Sequence, residues 1–215
     1  MKALVDHAPG PGEAGALLVL MPGAGITADD FAAHGFTAAV RARNWPVDVA
    51  AVATSIDAYV DADFPARLHE EVVVPAGRRE VWCAGISAGA LGALRYAASH
   101  LTQGLLLLSP FIGSRGLIAE IEAAGGLAAW DGGPDREPTI ERRLLATLAA
   151  RAAQPPIYLG YGTADRFVAA HRLLAAVLPA ERVVQLPGAH DWPTWEALWT
   201  RLLAASGCGP ADRTA

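Results

Sequence analysis

Gly85-Ile86-Ser87-Ala88-Gly89 constrains this chain more than any other segment. It follows the short apolar run Glu80-Val81-Trp82-Cys83-Ala84 and leads into a helix-like stretch over Ala88–Ser99. A strand, a tight turn and a helix are implied, with a serine at the apex of the turn. Glycines two residues to either side of that serine let strand and helix approach closely, and the turn holds the hydroxyl above the sheet edge. The helix start also aims backbone N–H groups at any negative charge that develops beside the hydroxyl. A serine at such a turn is often only a helix cap. What separates the two readings is whether the rest of the chain supplies a base and an acid.

A serine hydroxyl becomes a useful nucleophile when a base takes its proton and a carboxylate orients that base. After the apolar run Pro156-Ile157-Tyr158-Leu159-Gly160 comes Tyr161-Gly162-Thr163-Ala164-Asp165, which puts an acid in the turn beyond a strand. After Arg182-Val183-Val184-Gln185-Leu186 comes Pro187-Gly188-Ala189-His190, which puts a histidine in the same position on the next strand. The order is Ser87, Asp165, His190, each on a loop leaving the carboxyl edge of an expected parallel strand, where open α/β sheets place their ligands. His34, His69, His100 and His171 fall in or at the ends of expected helices, and His7 lies near the amino terminus, so none competes with His190 as the base. Asp191 adjoins His190, and neighbouring side chains point in different directions, so it is expected to brace the loop.

This arrangement resembles the α/β-hydrolase superfamily of serine esterases, lipases and thioesterases, over a span from about Leu17 to about Leu203. Leu18-Val19-Leu20-Met21-Pro22-Gly23-Ala24-Gly25 is similar to the superfamily's first core strand and glycine-rich oxyanion loop, with Met21-Pro22 standing where a histidine segment is usual. The resemblance implies an oxyanion hole built from the backbone N–H groups of Ala24 and Ala88. His190-Asp191-Trp192-Pro193-Thr194-Trp195 is also similar, locally, to the esterase D-like branch.

A chain of 215 residues, 53% hydrophobic, is long enough for one full α/β core and short for two domains. The formal charge of −5, without a basic stretch, gives nucleic acid no footing. Two cysteines, one in an expected central strand and one in a polar tail, make no disulfide framework and suit a reducing compartment. The amino terminus does not resemble a secretory signal, and no segment reaches the roughly 18 apolar residues of a membrane span. A cytoplasmic location is the expectation. Neither His-x-x-x-His nor Cys-x-x-Cys occurs, and Gly23-Ala24-Gly25 is followed by no phosphate-binding fingerprint, so no metal, nucleotide or other cofactor is expected.

Strands are expected near Ala16–Met21, Val47–Ala53, Glu80–Ala84, Gly104–Ser109, Pro156–Gly160 and Arg182–Leu186. Their continuous hydrophobicity predicts a mostly parallel sheet covered by helices on both faces. Helices are expected near Asp29–Arg43, Pro65–Val73, Ala88–Ser99, Val168–Leu178 and Thr194–Ala205, with loose ends over residues 1–14 and 206–215. About forty residues, 112–154, interrupt the alternation and carry helix-like Leu117–Ala124 and Ile140–Ala152. The resemblance places a small cap here. Phe111, Trp130 and Trp192 lie on segments expected to border the serine and are candidates for lining a substrate pocket, though aromatics at a sheet edge usually serve packing.

The chemistry these residues predict is acyl transfer from a carboxylic ester to water through Ser87, His190 and Asp165, acting on a small-molecule ester. A thioester or lysophospholipid substrate, a different acyl acceptor, and a non-catalytic binding role on the same fold remain the alternatives. A homodimer is compatible with a helix-rich surface, but no segment marks an interface.

Overall fold

Leu17, Leu18, Val19, Leu20 and Met21 are all inaccessible to solvent, although alternate side chains of a strand point to opposite faces. Burial on both sides is what a central strand sandwiched between helices requires. The computed structural model, which describes residues 1–9, 15–133, 139–150 and 155–208, shows this arrangement.

Seven strands form one sheet: β1 (Lys2–Asp6), β2 (Ala16–Met21), β3 (Val47–Ala53), β4 (Glu80–Ile86), β5 (Gly104–Leu108), β6 (Ile157–Gly162) and β7 (Val183–Leu186). Their order is β1-β3-β2-β4-β5-β6-β7, and every pair is parallel except β1 with β3. The helices are α1 (Ala28–Ala33), α2 (Phe36–Arg41), α3 (Phe64–Leu68), α4 (Val74–Ala76), α5 (Gly89–Ala97), α6 (Arg115–Ala123), α7 (Ile140–Ala149), α8 (Val168–Ala175) and α9 (Trp192–Ser206).

The sheet divides the core in two. Leu17, Val19, Met21, Cys83, Leu105 and Leu107 face one way, into α3, α5, α6, α7 and α8. Leu18, Leu20, Trp82, Ala84, Leu106 and Leu108 face the other, into α1, α2 and α9. Each fully buried aliphatic side chain contributes about 2 kcal/mol of hydrophobic stabilisation. α9 follows from spacing: Trp195, Leu198, Trp199, Leu202 and Leu203 recur at three- and four-residue intervals and are buried, and the Trp199 indole donates to the Phe36 carbonyl at 3.0 Å.

Three differences from the sequence expectations have physical causes. Lys2–Asp6, expected in a loose end, forms an antiparallel edge strand; with one side of the ladder unpaired, its residues stay exposed and carry little hydrophobic signature. The helix expected over Asp29–Arg43 is broken at Gly35, which adopts the left-handed conformation (φ 74°) between α1 and α2. The helix expected near Pro65–Val73 is α-helical only to Leu68, then turns as a π-helix over His69–Val73 and resumes as α4. The expected ends of two segments, residues 151–152 of a helix and 209–215 of the tail, lie outside the described residues.

Between β5 and β6, α6 packs beside α8 and α7 beside α5. Glu120 ties this region together. It accepts from Arg142 through both oxygens at 2.7 Å and from the Trp130 indole at 2.9 Å, and these bonds hold its carboxyl down to about 2. No helix among the described residues is long and apolar enough to cross a membrane.

Candidate active site

Ser87 stands one residue beyond β4 with φ of 53°, a left-handed conformation that costs a non-glycine residue roughly 1–3 kcal/mol. The surroundings impose it. Ser87 donates its N–H to the Leu108 carbonyl at 2.9 Å, and its own carbonyl accepts from Phe111 at 3.0 Å and Ala90 at 3.1 Å. A Cβ on Gly85 would overlap the Gly89 backbone, and one on Gly89 would overlap the Met21 carbonyl. Only bare backbone lets β4, the start of α5 and the end of β2 meet here, which is why the serine is flanked as it is.

β6 and β7 bring the partners in. A Cβ on Gly162 would strike the Gly188 carbonyl, so the loops leaving these two strands are in backbone contact. Thr163 and Ala164 donate to the Leu186 and Gly188 carbonyls at 2.8 and 2.9 Å, locking the loops together. As a result, His190 Nδ1 lies 2.8 Å from Asp165 Oδ2, and His190 Nε2 lies 3.0 Å from Ser87 Oγ. The three residues that the chain order singled out are thus joined in one line, across a separation of 103 residues between serine and histidine.

Asp165 is 2% exposed. Burial pushes its carboxyl up, but hydrogen bonds from His190 and from the Phe167 N–H at 2.8 Å outweigh that and hold it below the ordinary carboxylate range. The carboxylate therefore stays charged and favours the tautomer in which His190 Nδ1 carries the proton and Nε2 faces Ser87 as an acceptor. His190 is also fixed from both sides. Phe167 and Trp195 each meet its ring edge to face at 5.1 Å. Behind Asp165, the fully buried His171 donates Nε2–H to the Pro110 carbonyl at 3.1 Å, and burial pushes this imidazole down to about 4.

The loop after β2 comes close to the serine: a Cβ on Gly23 would lie 3.0 Å from the Ser87 Cβ. Ile26 donates to the Gly23 carbonyl at 3.2 Å across a turn whose third residue, Gly25, has φ of 72°. The buried Tyr59 hydroxyl anchors this loop by donating to the Pro22 carbonyl at 2.9 Å. Ala24 therefore lies in a fixed turn beside Ser87. Ala88 opens α5, and the first N–H groups of a helix have no acceptor within it.

Of the aromatic residues expected at the site, Phe111 is there, bonded through its N–H to Ser87. Trp192 is stacked 3.8 Å from His34, meets Phe31 and Phe36 edge to face, and packs edge to face on Trp195, the ring that contacts His190. Trp130 is 5% exposed and committed to Glu120 and Arg142. Asp191 caps α9, accepting from the Thr194 N–H and hydroxyl. Phe167 and Trp195 were not anticipated; their signal in the sequence is position alone, two residues after Asp165 and five after His190. Among the described residues, no three His, Cys, Asp or Glu side chains group as a metal ion would need.

No protein-family model and no curated protein matches the sequence. Solved structures do match. A fluorophosphonate-binding serine hydrolase of Staphylococcus aureus, with substrate bound, superposes with a TM-score of 0.65 at 14% identity, covering 89% of this chain and 83% of that one. A monoacylglycerol lipase of Paleococcus ferrophilus gives 0.59 at 17% identity over 96% and 99%. A lidless α/β serine hydrolase of Xanthomonas campestris gives 0.57 at 19% over 97% and 89%. With the strand order, the serine turn after β4 and these superpositions together, the chain has the α/β-hydrolase fold.

Proposed function

We propose that this protein hydrolyses carboxylic esters through a Ser87–His190–Asp165 triad and an acyl-enzyme. The unbroken line from Asp165 through His190 to Ser87, at 2.8 and 3.0 Å, carries the reading. His190 Nε2 takes the Ser87 proton as Oγ attacks the ester carbonyl, and Asp165 stabilises the resulting imidazolium. The N–H groups of Ala24 and Ala88 receive the oxyanion, each worth roughly 3 kcal/mol to the transition state. His190 then protonates the leaving alcohol. It next deprotonates the water that attacks the acyl-enzyme and releases the acid. The structural neighbours named for serine hydrolase and lipase activity support this assignment. The free, buried Cys83 and Cys208 go with a reducing, cytoplasmic setting.

A fluorophosphonate probe and 4-nitrophenyl esters from acetate to dodecanoate test the reading on wild type and on Ser87→Ala. The wild type is expected to label and to turn over ester, and the variant, with an unchanged circular dichroism spectrum, to do neither. A folded wild type that neither labels nor turns over any ester would sink the proposal.

A further inference from the structure

Between α6 and α8 lies a cleft of about 290 Å³. Its inner wall is Phe111 and Phe167, whose ring centres are 5.5 Å apart in an edge-to-face contact. Both residues touch the candidate triad, Phe111 through its bond to the Ser87 carbonyl and Phe167 through its ring against His190. On α6, Arg115, Ile118, Ala119 and Glu122 line the cleft at the spacing of a single helix face. The opposite side is small and apolar, from Ala169 and Ala170 of α8. Such a lining suits a carbon chain.

Charge is not spread evenly along it. Arg115 opens α6 only four residues after Phe111, whereas Glu122 stands two turns further on, roughly 10 Å along the axis. From the other side comes Arg166, with its guanidinium carbon 4.9 Å from the centre of the Phe167 ring. One cation is therefore held on the same ring that packs against His190. Among the described residues, neither Arg115 nor Arg166 is engaged in an ion pair, in contrast to Arg41, Arg67, Arg78 and Arg142. The first turn of α6 contains no acidic residue, and its N–H groups add partial positive charge. Both cations stand close in sequence to groups that touch the candidate triad, Arg166 directly after Asp165 and Arg115 four residues after Phe111, in a chain whose net charge is −5.

We infer that the preferred substrate is an ester bearing a second, anionic group, a carboxylate held between Arg115 and Arg166 while the adjoining carbons lie against Phe111, Phe167 and Ile118. This rests on the ester-hydrolase reading above. Guanidinium forks match carboxylate oxygens in plane, and with both arginines exposed the pairing is open to screening by salt. A neutral ester of the same length fills the cleft and leaves both cations unmatched.

Two matched pairs of esters test it. One pair, 4-nitrophenyl pentanoate and the 4-nitrophenyl hemiester of glutaric acid, carries the charge on the acyl side. The other, the acetyl esters of 4-hydroxyphenylacetamide and of 4-hydroxyphenylacetic acid, carries it on the alcohol side. In one pair, kcat/KM for the anionic member is expected to exceed that of its neutral partner by about tenfold at low salt, mainly through KM, and the ratio is expected to shrink at high salt. The responding pair identifies which half of the ester enters the cleft. In the Arg115→Gln, Arg166→Gln double variant the ratio falls to near one, and lysine at both positions restores part of it. Fluorophosphonate labelling checks that each variant is folded. A wild-type ratio at or below one in both pairs, or a ratio unmoved in the double variant, overturns the inference and leaves the hydrolase reading standing. A wild type that neither labels nor hydrolyses the neutral esters overturns both.

Discussion

At the amino end of the parallel strands, Asp48 is 2% exposed and faces Arg78, whose Nε and Nη2 donate to its Oδ2 at 2.9 and 2.7 Å. The Ala8 N–H takes the other oxygen at 2.8 Å, and the exposed His7 imidazole lies 3.3 Å from Oδ2. At the carboxyl end, Asp165 is buried to the same degree, and its partners are a backbone N–H and an imidazole. For both, burial pushes the carboxyl up and hydrogen bonds more than reverse it. Burial and a depressed pKa therefore do not tell the two apart. What surrounds the imidazole does. Asp48 is also held by Arg78, a permanent cation that keeps it paired whatever the state of His7. Among the described residues, Asp165 has no such cation, and the second nitrogen of its histidine, His190, opens onto Ser87.

The strongest challenge to this contrast is Asp165→Asn, which removes the charge and keeps the shape. We expect kcat for ester hydrolysis to fall by about 10³–10⁴ with the urea midpoint nearly unchanged, since the amide cannot stabilise an imidazolium. A rate within tenfold of wild type would mean that Asp165 is as structural as Asp48. Asp48→Asn should behave oppositely. It leaves Arg78 without its carboxylate and is expected to cost about 3 kcal/mol in urea unfolding, with kcat within twofold of wild type. An inactive but fully stable Asp48→Asn would erase the distinction between the two ends.

The smallest effect sharpens the comparison at the carboxyl end alone. Burial lowers the His171 pKa to about 4 in the folded protein, while the unfolded chain titrates near the ordinary histidine value of 6.5. Between those values the unfolded state binds more protons, so stability is full above pH 6.5 and is lost as pH falls towards 4. One such group accounts for roughly 1.5 kcal/mol of lost stability between pH 6.5 and pH 5. His171→Leu should remove that slope, whatever constant penalty the substitution carries. Urea titrations of both proteins at the two pH values measure it, and parallel slopes would show that folding leaves the His171 pKa where it is in the unfolded chain.

The sequence was most readable where covalent and steric demands are local. β2 was legible to the residue because a fully buried parallel strand is a continuous apolar run, and β3 because only Asp48 interrupts its apolar run. The positions of Ser87, Asp165 and His190 beside one another were legible because each lies on the turn after a strand, two or three residues past a glycine. Less could be read where tertiary contacts decide. An exposed edge strand such as β1 buries too little to show a pattern. Trp130 and Trp192 were placed on the right segments, but their indoles turn towards Glu120 and towards His34. Phe167 and Trp195 lie inside stretches that read as ordinary helix starts, and only the folded loops reveal that they clamp His190.

The separation of 103 positions between Ser87 and His190 also governs, on the proposed mechanism, when the chain can act during its own synthesis. The serine turn and its helix are complete in the nascent chain long before the residues that would activate them have been translated. Until β7 docks on β6, the His190 imidazole is not held beside Ser87, so on the proposed mechanism a partly made or partly folded chain carries an unactivated hydroxyl. On the proposed mechanism, the docking of β7 on β6 is thus also the step that brings the base to the serine.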